Sequence, residues 1–213
     1  MAFSKEELGA AGIARYEQII ATAIELFERQ GYGATSLAQI ADAVGIRKAT
    51  LYYYLDSKVQ LLENVYERVT DQLRDVMRSS STSDHPCQRI AAVIHNHVAF
   101  HIHHGAFVRI VWAERYELPA EVYRAVRIRE QEYEHFVEET ISAGIERGCL
   151  EGYEADLLTK GLLGLLTTVY RWPRGTGTDE QFHADVVRLV MRFVFGPARN
   201  CPVDGALLPA AVG

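Results

Sequence analysis

One stretch decides the fold of this chain: Thr35-Ser-Leu-Ala-Gln-Ile-Ala-Asp-Ala-Val-Gly-Ile-Arg-Lys-Ala-Thr-Leu-Tyr-Tyr-Tyr-Leu-Asp-Ser-Lys58. Thr35 or Ser36 can cap a short helix, because side-chain hydroxyls accept the free amides at a helix start. Gly45 ends that helix, and the pattern from Arg47 to Tyr54 predicts a second one. The first helix has an apolar face at helical spacing, formed by Leu37, Ile40, Ala41 and Val44.

Two short helices joined by a tight turn with a central glycine are typical of the helix-turn-helix motif. In that motif the second helix enters the major groove of DNA. The apolar spacing alone would equally describe another small three-helix unit without a role in DNA binding.

Helical spacing of apolar residues continues along almost the whole chain, and few stretches alternate with the period of two that strands need. We therefore predict an all-α fold with about nine helices. A three-helix DNA-binding domain with the helix-turn-helix is expected over residues 1–58. A larger helical domain for ligand binding and dimerisation follows over residues 59–197, and a flexible C-terminal tail over residues 198–213.

The charge balance argues against indiscriminate nucleic-acid binding, which depends on many Lys and Arg contacts to phosphate. The 213 residues contain 22 Lys and Arg against 28 Asp and Glu, a formal net charge of −6. Locally the sign reverses, because the segment from residue 47 to residue 58 holds three basic residues and one acidic residue: Arg47, Lys48, Lys58 and Asp56. An acidic body with a small basic segment favours sequence-specific contact over general attraction to DNA.

The three cysteines, Cys87, Cys149 and Cys201, are far apart and have no CxxC spacing. This arrangement predicts neither a disulfide framework nor a thiolate zinc site, and it fits a reducing compartment. The N-terminus has no charged start followed by an apolar run, and the most apolar stretch, 161–170, is too short to span a bilayer. We expect a cytoplasmic protein without a membrane partner.

The stretch from Thr35 to Lys58, followed by Leu61-Leu62, closely resembles the DNA-binding signature of TetR-family transcriptional repressors. The resemblance covers residues 14–62. It implies a homodimer that binds a palindromic operator and releases it when a small molecule fills the larger domain. Two positions depart from the usual pattern: Tyr54 stands where the family most often has His, and Leu55 where it usually has Phe.

Candidate DNA contacts follow from the position of each residue on or beside the second helix. Lys48, Thr50 and Tyr53 are expected to face the groove, with Arg47 near the helix start. Helix N-termini and side-chain hydroxyl groups bind phosphate, so four hydroxyl residues and one lysine at a helix start are further candidates for DNA contact. These are Thr35, Ser36, Tyr52, Tyr54 and Lys58, although one of the three tyrosines is expected to be a core residue.

The middle of the chain concentrates aromatic and histidine residues, a mixture that can line a ligand pocket. A helix packed in a core would show much the same pattern, so both interpretations stay open. The candidate ligand-binding residues are His97, Phe100, His101, Phe107, Trp112, Tyr116, Tyr123, Arg127, Tyr133 and Trp172.

The segments Trp112-Ala-Glu-Arg-Tyr-Glu-Leu-Pro119 and Tyr170-Arg-Trp-Pro-Arg-Gly175 resemble the ligand domains of TetR-family repressors of fatty-acid and steroid catabolism. That resemblance implies a small apolar or acyl-CoA-like effector. A CoA thioester needs cations for its phosphates, and the arginines near Arg127 are candidates, unless they pair with neighbouring glutamates on a solvated helix.

Three histidines, His97, His101 and His104, could share one face of a helix, as a metal site requires. This spacing supports an alternative hypothesis, a metal sensor or a metal-dependent enzyme. We do not predict a metal site, because no additional carboxylate or thiolate ligand is recognisable. The chain also has no Gly-rich phosphate loop and no GxSxG motif, so we expect neither enzymatic activity nor a cofactor.

The last two helices are the candidate dimer interface. They combine small residues with leucines and valines, and a monomer would leave part of this apolar surface exposed. Paired around a twofold axis, such helices form a four-helix bundle. The predicted interface residues are Leu158, Leu162, Leu165, Val187, Val190 and Val194.

Overall fold

The structure is a computed structural model that describes residues 9–150, 153–173 and 175–196. Within these residues it contains nine α-helices and no β-strand, which confirms the predicted all-α fold. In chain order the helices are α1 (Ala10–Gln30), α2 (Leu37–Val44), α3 (Lys48–Tyr54), α4 (Lys58–Ser80), α5 (Pro86–His103), α6 (Gly105–Glu114), α7 (Ala120–Glu146), α8 (Ala155–Leu166) and α9 (Asp179–Phe195). The tail predicted over residues 198–213 lies outside the described part of the chain.

Local capping explains where the short N-terminal helices begin and end. Ser36 caps α2: its hydroxyl accepts the amide of Gln39, and the Gln39 side chain accepts the amide of Ser36 in return, a complete capping box. Gly45 ends α2 in the left-handed conformation, with φ of 75°, which a residue with a side chain adopts less readily. The turn that separates α2 from α3 therefore depends on this glycine.

The eighth helix is shorter than the sequence pattern predicts. The pattern favours one helix from about residue 154 to residue 172, but α8 ends at Leu166 and a single 3₁₀ turn follows at Val169–Arg171. The hydroxyls of Thr167 and Thr168 donate to the carbonyls of Leu163 and Leu165, each at 2.8 Å. Side-chain hydroxyls that bond to helical carbonyls compete with the regular ladder, and this accounts for the early end.

The chain divides into two compact units. The described part of the first comprises residues 9–70 and 106–127, and that of the second comprises residues 71–105 and 128–196 with the gaps given above. The division falls inside α4 and inside α7, so neither unit is a simple continuous segment.

The first unit packs α1, α2, α3 and the start of α4 around a single apolar core. Leu51 and Leu55, on and just after α3, are fully buried in it. The hydroxyl of Tyr66 donates to the carbonyl of Val111, which satisfies a buried polar group and fixes α6 within this unit. With Leu51 facing inward, α3 presents Lys48, Thr50, Tyr52 and Tyr53 outward.

The second unit has its own core, built from α5, α8, α9 and the later part of α7. At one end, Cys87 of α5 and Cys149 form a disulfide, packed near Ala91, Met191 and Phe195. This corrects the expectation from spacing, which excluded a disulfide: Cys87 and Cys149 are 62 residues apart in sequence, but the return of the chain after α7 brings them together.

Among the residues the structure describes, no helix has both the length and the apolar character needed to cross a membrane.

Candidate nucleic-acid interface and ligand site

Helix α3 presents a row of exposed side chains on the face opposite its buried residue Leu51. Arg47 caps the helix, and Lys48, Thr50, Tyr52 and Tyr53 are all exposed. The structure thus places these predicted DNA-contacting residues together on one surface. Cationic, hydroxyl and aromatic groups at the start of such a helix can reach base edges and phosphate oxygens.

The tyrosines of α3 are not equivalent. Tyr54 is half-buried and packs against the core of the first unit, and its ring contacts that of Tyr53 at 5.2 Å. Tyr52 is exposed, and the ammonium of Lys48 lies 5.8 Å from the centre of its ring, within the range of a cation–π contact. One of the three tyrosines therefore has a packing role.

Lys58 was predicted to contact phosphate, and the structure gives it a different role. Its Nζ donates to the carbonyls of Tyr32 at 2.8 Å, Thr35 at 3.0 Å and Gly33 at 3.4 Å. It also lies 4.1 Å from the centre of the Tyr32 ring. Since its three N–H donors are used inside the protein, Lys58 holds the turn between α1 and α2 to the start of α4.

Thr35 and Ser36 were also predicted to contact phosphate, but only Ser36 is exposed. The Thr35 side chain is buried, and its hydroxyl donates to the carbonyl of Gly31 at 2.8 Å and accepts from Gln30 at 3.1 Å. Thr35 therefore stabilises the turn, which corrects its predicted contact through the hydroxyl. Ser36 remains exposed at the start of α2.

A buried polar network lies in the core of the second unit, between α5 and α7. His97 Nδ1 is 2.7 Å from the hydroxyl of Tyr133, and His97 Nε2 is 2.9 Å from His101 Nε2. The two imidazole rings are stacked, with centres 4.6 Å apart. The ring of Tyr170 lies 6.0 Å beyond His101.

The last atom of this network, His101 Nδ1, is buried and has no hydrogen-bond partner within the protein, while the His101 side chain is only 3% exposed. Either tautomer of the two histidines leaves the Nδ1 atom of His101 without a hydrogen-bond partner in the protein. Buried polar groups without a partner are rare, and a bound water or ligand is a common reason for one.

Burial keeps this network uncharged at neutral pH. It lowers the pKa of His101 from 6.5 to about 4, and it lowers the pKa of His97 well below 6.5, with a smaller contribution from the neighbouring His101. Burial also raises the pKa of the Tyr133 hydroxyl. Neutral imidazole and phenol groups can each donate or accept a hydrogen bond, so the network suits a neutral polar group better than an anion.

The arrangement does not favour metal binding by His97, His101 and His104. The Nε2 atoms of His97 and His101 point at each other, and His104 packs against the ring of Phe100 at 5.2 Å. Among the described residues, the group of three close metal-ligating side chains lies elsewhere, at His85, Cys87 and Cys149. The metal hypothesis drawn from histidine spacing is therefore not supported at that position.

A cavity of about 500 Å³ lies in the second unit between α4 and α5. This volume is within the usual range of small-molecule sites. Of the predicted ligand-binding residues, Phe100 lines it, and the ring of Phe100 contacts that of His101 edge to face at 5.5 Å. Arg78 and Asp75, joined by an ion pair, also line the cavity.

The other predicted ligand-binding residues are distributed over both units. Trp172 packs on the core of the second unit, and Tyr123 packs on the core of the first. Trp112 is exposed, and Tyr116 is 85% exposed, so neither lines an enclosed pocket within its own unit. The guanidinium of Arg115 lies over the rings of Trp112 and Tyr123. Arg127 is half-buried in the first unit, and the side chain of Phe107 lies outside the described part.

The predicted dimer interface lies on a face of α8 and α9 that is turned inward within the single chain. Five of its six residues are buried within one chain, in the core of the second unit: Leu158, Leu162, Val187, Val190 and Val194. Leu165 is half-buried against the same core. The exposed apolar residues of α8 and α9 are Leu157 at 63%, Leu189 at 53% and Phe193 at 47%. The predicted leucine and valine residues do form an apolar face, but this face packs in the core of the second unit.

An exposed α3 after a glycine turn, on a unit whose core fixes its orientation, defines a DNA-binding protein of the helix-turn-helix class. Residues 19–65 match the family described as "Bacterial regulatory proteins, tetR family". Residues 83–194 match "Tetracyclin repressor-like, C-terminal domain". The chain belongs to the TetR family of ligand-responsive transcriptional regulators.

One relative is similar to this chain over most of its length, and another over less than a third of it. The chain is 28% identical over 192 residues to the HTH-type transcriptional activator FasR of Mycolicibacterium smegmatis, covering 89% of this chain and 85% of FasR. It is 41% identical over 61 residues to the negative transcriptional regulator IcaR of Staphylococcus aureus, covering 29% of this chain and 33% of IcaR.

A solved structure shares the fold. The crystal structure of AibR in complex with isovaleryl coenzyme A and operator DNA superposes with a TM-score of 0.76 at 26% identity. The match covers 86% of this chain and all of AibR.

Proposed function

We propose that this protein is a transcriptional repressor that binds a palindromic operator as a homodimer and is released by a small apolar effector of the acyl-CoA type. The observation that carries the DNA-binding part is the exposed row on α3, formed by Arg47, Lys48, Thr50, Tyr52 and Tyr53. Residues 1–58 would make the DNA contacts, and residues 59–197 would bind the effector and the second copy. Ser36, at the start of α2, is the additional candidate for a phosphate contact.

The effector site is proposed in the second unit, around the buried network of His97, His101 and Tyr133 and the nearby cavity that Phe100 lines. An unsatisfied His101 Nδ1 supports a ligand with a neutral polar group, such as the carbonyl of a thioester. Tyr133 of this network belongs to the apolar core of the second unit, and such surroundings support an acyl chain. AibR, which has the same fold, is described in complex with isovaleryl coenzyme A, and this favours the same ligand class here.

The dimer interface is proposed on the outward faces of α8 and α9. Leu157, Leu189 and Phe193 are large exposed apolar residues, and such surfaces commonly mark protein interfaces. Gly161 belongs to the same surface, because a Cβ atom there would lie 3.3 Å from the ring of Phe193. A second copy of this chain is the proposed occupant, since the class of operator we propose is palindromic and requires two recognition helices.

We propose that the protein represses transcription. Its relatives include both kinds of regulator, since FasR is named an activator and IcaR a negative regulator. We further propose that the protein acts in the cytoplasm and catalyses no reaction. The proposal is tested by titrating the complex of the protein and its own upstream DNA with CoA thioesters of increasing chain length. Release of DNA by one thioester supports it. No release and no thermal shift across the whole panel would refute the effector assignment.

A further inference from the structure

The N-terminus of α5 and the turn after α7 bring three metal-ligating side chains together. The Sγ atoms of Cys87 and Cys149 and one ring nitrogen of His85 all lie within 4.8 Å of one another. Two thiolates and one imidazole form a donor set that zinc prefers. In a tetrahedral zinc site, donor atoms are separated by roughly 3.3 to 3.8 Å, as follows from bond lengths of about 2.0 to 2.3 Å.

The histidine of this cluster carries an independent signal. Its Nδ1 atom is buried and has no hydrogen-bond partner in the protein. His85 caps α5 through its backbone, and its side chain makes no capping hydrogen bond. The imidazole is therefore not needed for helix capping, and its buried nitrogen has no protein partner that would compete with a metal ion.

The backbone also places Cys87 and Cys149 where both can bind the same metal ion. Cys87 is in the first turn of α5, directly after Pro86, where the free amides and the helix dipole favour a thiolate. Cys149 follows Gly148, which adopts φ of 71°, and its amide donates to the carbonyl of Gly144 at 2.9 Å. This tight turn at the end of α7 directs the chain back toward α5.

We propose that, when Cys87 and Cys149 are reduced, they and His85 bind one Zn²⁺ ion per chain, with the fourth coordination position open to water or an exogenous ligand. The disulfide and zinc forms are alternatives. A dithiol or phosphine reductant supplies two electrons, and two protons are taken up as the S–S bond breaks. Binding of Zn²⁺ then releases both thiol protons and forms two Zn–S bonds. The site links α5, which carries His97 and His101, to the end of α7, which carries Tyr133.

The test uses the full chain, reduced with a phosphine and equilibrated with zinc alone. After removal of free metal, elemental analysis should find one zinc per chain, and the melting temperature should rise with zinc concentration. Replacement of zinc by Co²⁺ should produce thiolate-to-metal charge-transfer absorption and the strong visible bands of a tetrahedral site. Absence of bound zinc and of these bands in the reduced wild-type protein would overturn the proposal.

Variants identify the ligands. Cys149→Ser and Cys87→Ser should lose stoichiometric zinc, and His85→Ala should bind it at least tenfold more weakly. Cys201→Ser and His135→Gln are matched controls that should bind zinc like the wild type. Because Cys87 is fully buried, circular dichroism must show native helix content in its variant, and the half-buried Cys149 gives the primary result. Zinc retained by the Cys87→Ser/Cys149→Ser double variant would place the metal elsewhere and refute this site.

The redox condition is tested separately by counting free thiols at the glutathione ratio of a reducing compartment. Two reactive thiols at Cys87 and Cys149 in metal-free protein, protected when zinc is added, support the proposal. A disulfide that persists under those conditions would contradict it, because the ligands would not be available.

Discussion

The Nζ atom of Lys58 lies 2.8 Å from the carbonyl oxygen of Tyr32 and 4.1 Å from the centre of its ring. This contact joins the first residue of α4 to the turn between α1 and α2, 26 residues earlier in the chain. A lysine at the edge of a DNA-binding motif would ordinarily be assigned to phosphate. Here its ammonium satisfies backbone carbonyls, so the cations left for DNA near α3 are Arg47 and Lys48.

The first prediction distinguishes Lys58, which stabilises the fold, from Lys48, which is expected to contact DNA. Lys58→Met should lower the free energy of unfolding by about 1.5 to 3 kcal/mol, because hydrogen bonds to charged groups contribute that much. Lys48→Met, at an exposed site, should leave stability within about 0.5 kcal/mol. Urea denaturation followed by circular dichroism measures both values.

Salt dependence of operator binding provides the matching control. Lys48→Met should reduce the slope of log affinity against log salt by about 1, whereas Lys58→Met should leave the slope unchanged while the protein is folded. Equal loss of slope in both variants would show that Lys58 contacts phosphate after all.

The second prediction concerns sequence recognition by α3. Thr50 and Tyr53 are exposed beside Lys48, in the positions from which side chains can reach base edges. Thr50→Ala should weaken operator binding by about 1 to 3 kcal/mol and relax the preference at one base pair of each half-site. Competition between operator variants, measured by fluorescence anisotropy, checks this. Tyr54→Phe is the control, since Tyr54 packs against the core, and it should preserve the base preference.

Capping and periodicity are local properties, and they were sufficient to predict an all-α fold and the end of α2 at Gly45, although they placed the end of α8 too late. The sequence also predicted that Lys48, Thr50 and Tyr53 face away from the core, and all three are exposed. The partners of Lys58 and the pairing of Cys87 with Cys149 could not be predicted. Both depend on contacts between residues that are distant in the chain, which no local pattern encodes.

The dimer interface illustrates a different limit. Residues such as Leu162 and Val190 on α8 and α9 form a strong apolar stripe, but a stripe has the same appearance whether it packs within a chain or between chains. The interface that we propose uses instead the second, weaker stripe of Leu157, Leu189 and Phe193, which is exposed in the single chain. Its exposure becomes visible only once the core has been assigned.

The third prediction tests that second stripe. Phe193→Glu and Leu189→Glu should each weaken dimerisation by roughly 30-fold or more, because large apolar residues at the centre of interfaces dominate binding energy. Helix content should be retained, since both side chains are exposed in the single chain. Light scattering over a concentration series measures the change.

Leu162→Ala is the companion variant for the interface test. Leu162 is fully buried in the core of the second unit, so its truncation should cost about 2 to 5 kcal/mol of stability and leave the dimer intact below the unfolding transition. A monomer from Leu162→Ala together with a dimer from Phe193→Glu would reverse the assignment of the two faces.

The fourth prediction follows from the pKa of His101, which burial lowers from 6.5 to about 4. Between these pH values the unfolded chain binds more protons at this residue than the folded chain does, so the free energy of unfolding falls as the pH is lowered. The full difference for this group is roughly 3 kcal/mol, and above pH 6.5 it makes no contribution.

His101→Gln removes the titrating group while keeping an amide that can hydrogen-bond to His97. Relative to the wild type, this variant should therefore gain stability as the pH falls from 6.5 to about 4. His135→Gln, at an exposed site, should follow the wild type over the same range. Parallel curves for His101→Gln and the wild type would show that His101 is not buried in its neutral form.

The most direct test of the whole account is a footprint of the purified protein on the DNA upstream of its own gene. We expect one protected palindrome whose half-sites are about one helical turn apart. Protection should be lost in the Lys48→Ala/Thr50→Ala double variant and in Phe193→Glu, while both variants remain folded. Absence of any protected site, or a footprint that survives the loss of Lys48 and Thr50, would contradict the claim that α3 reads the operator.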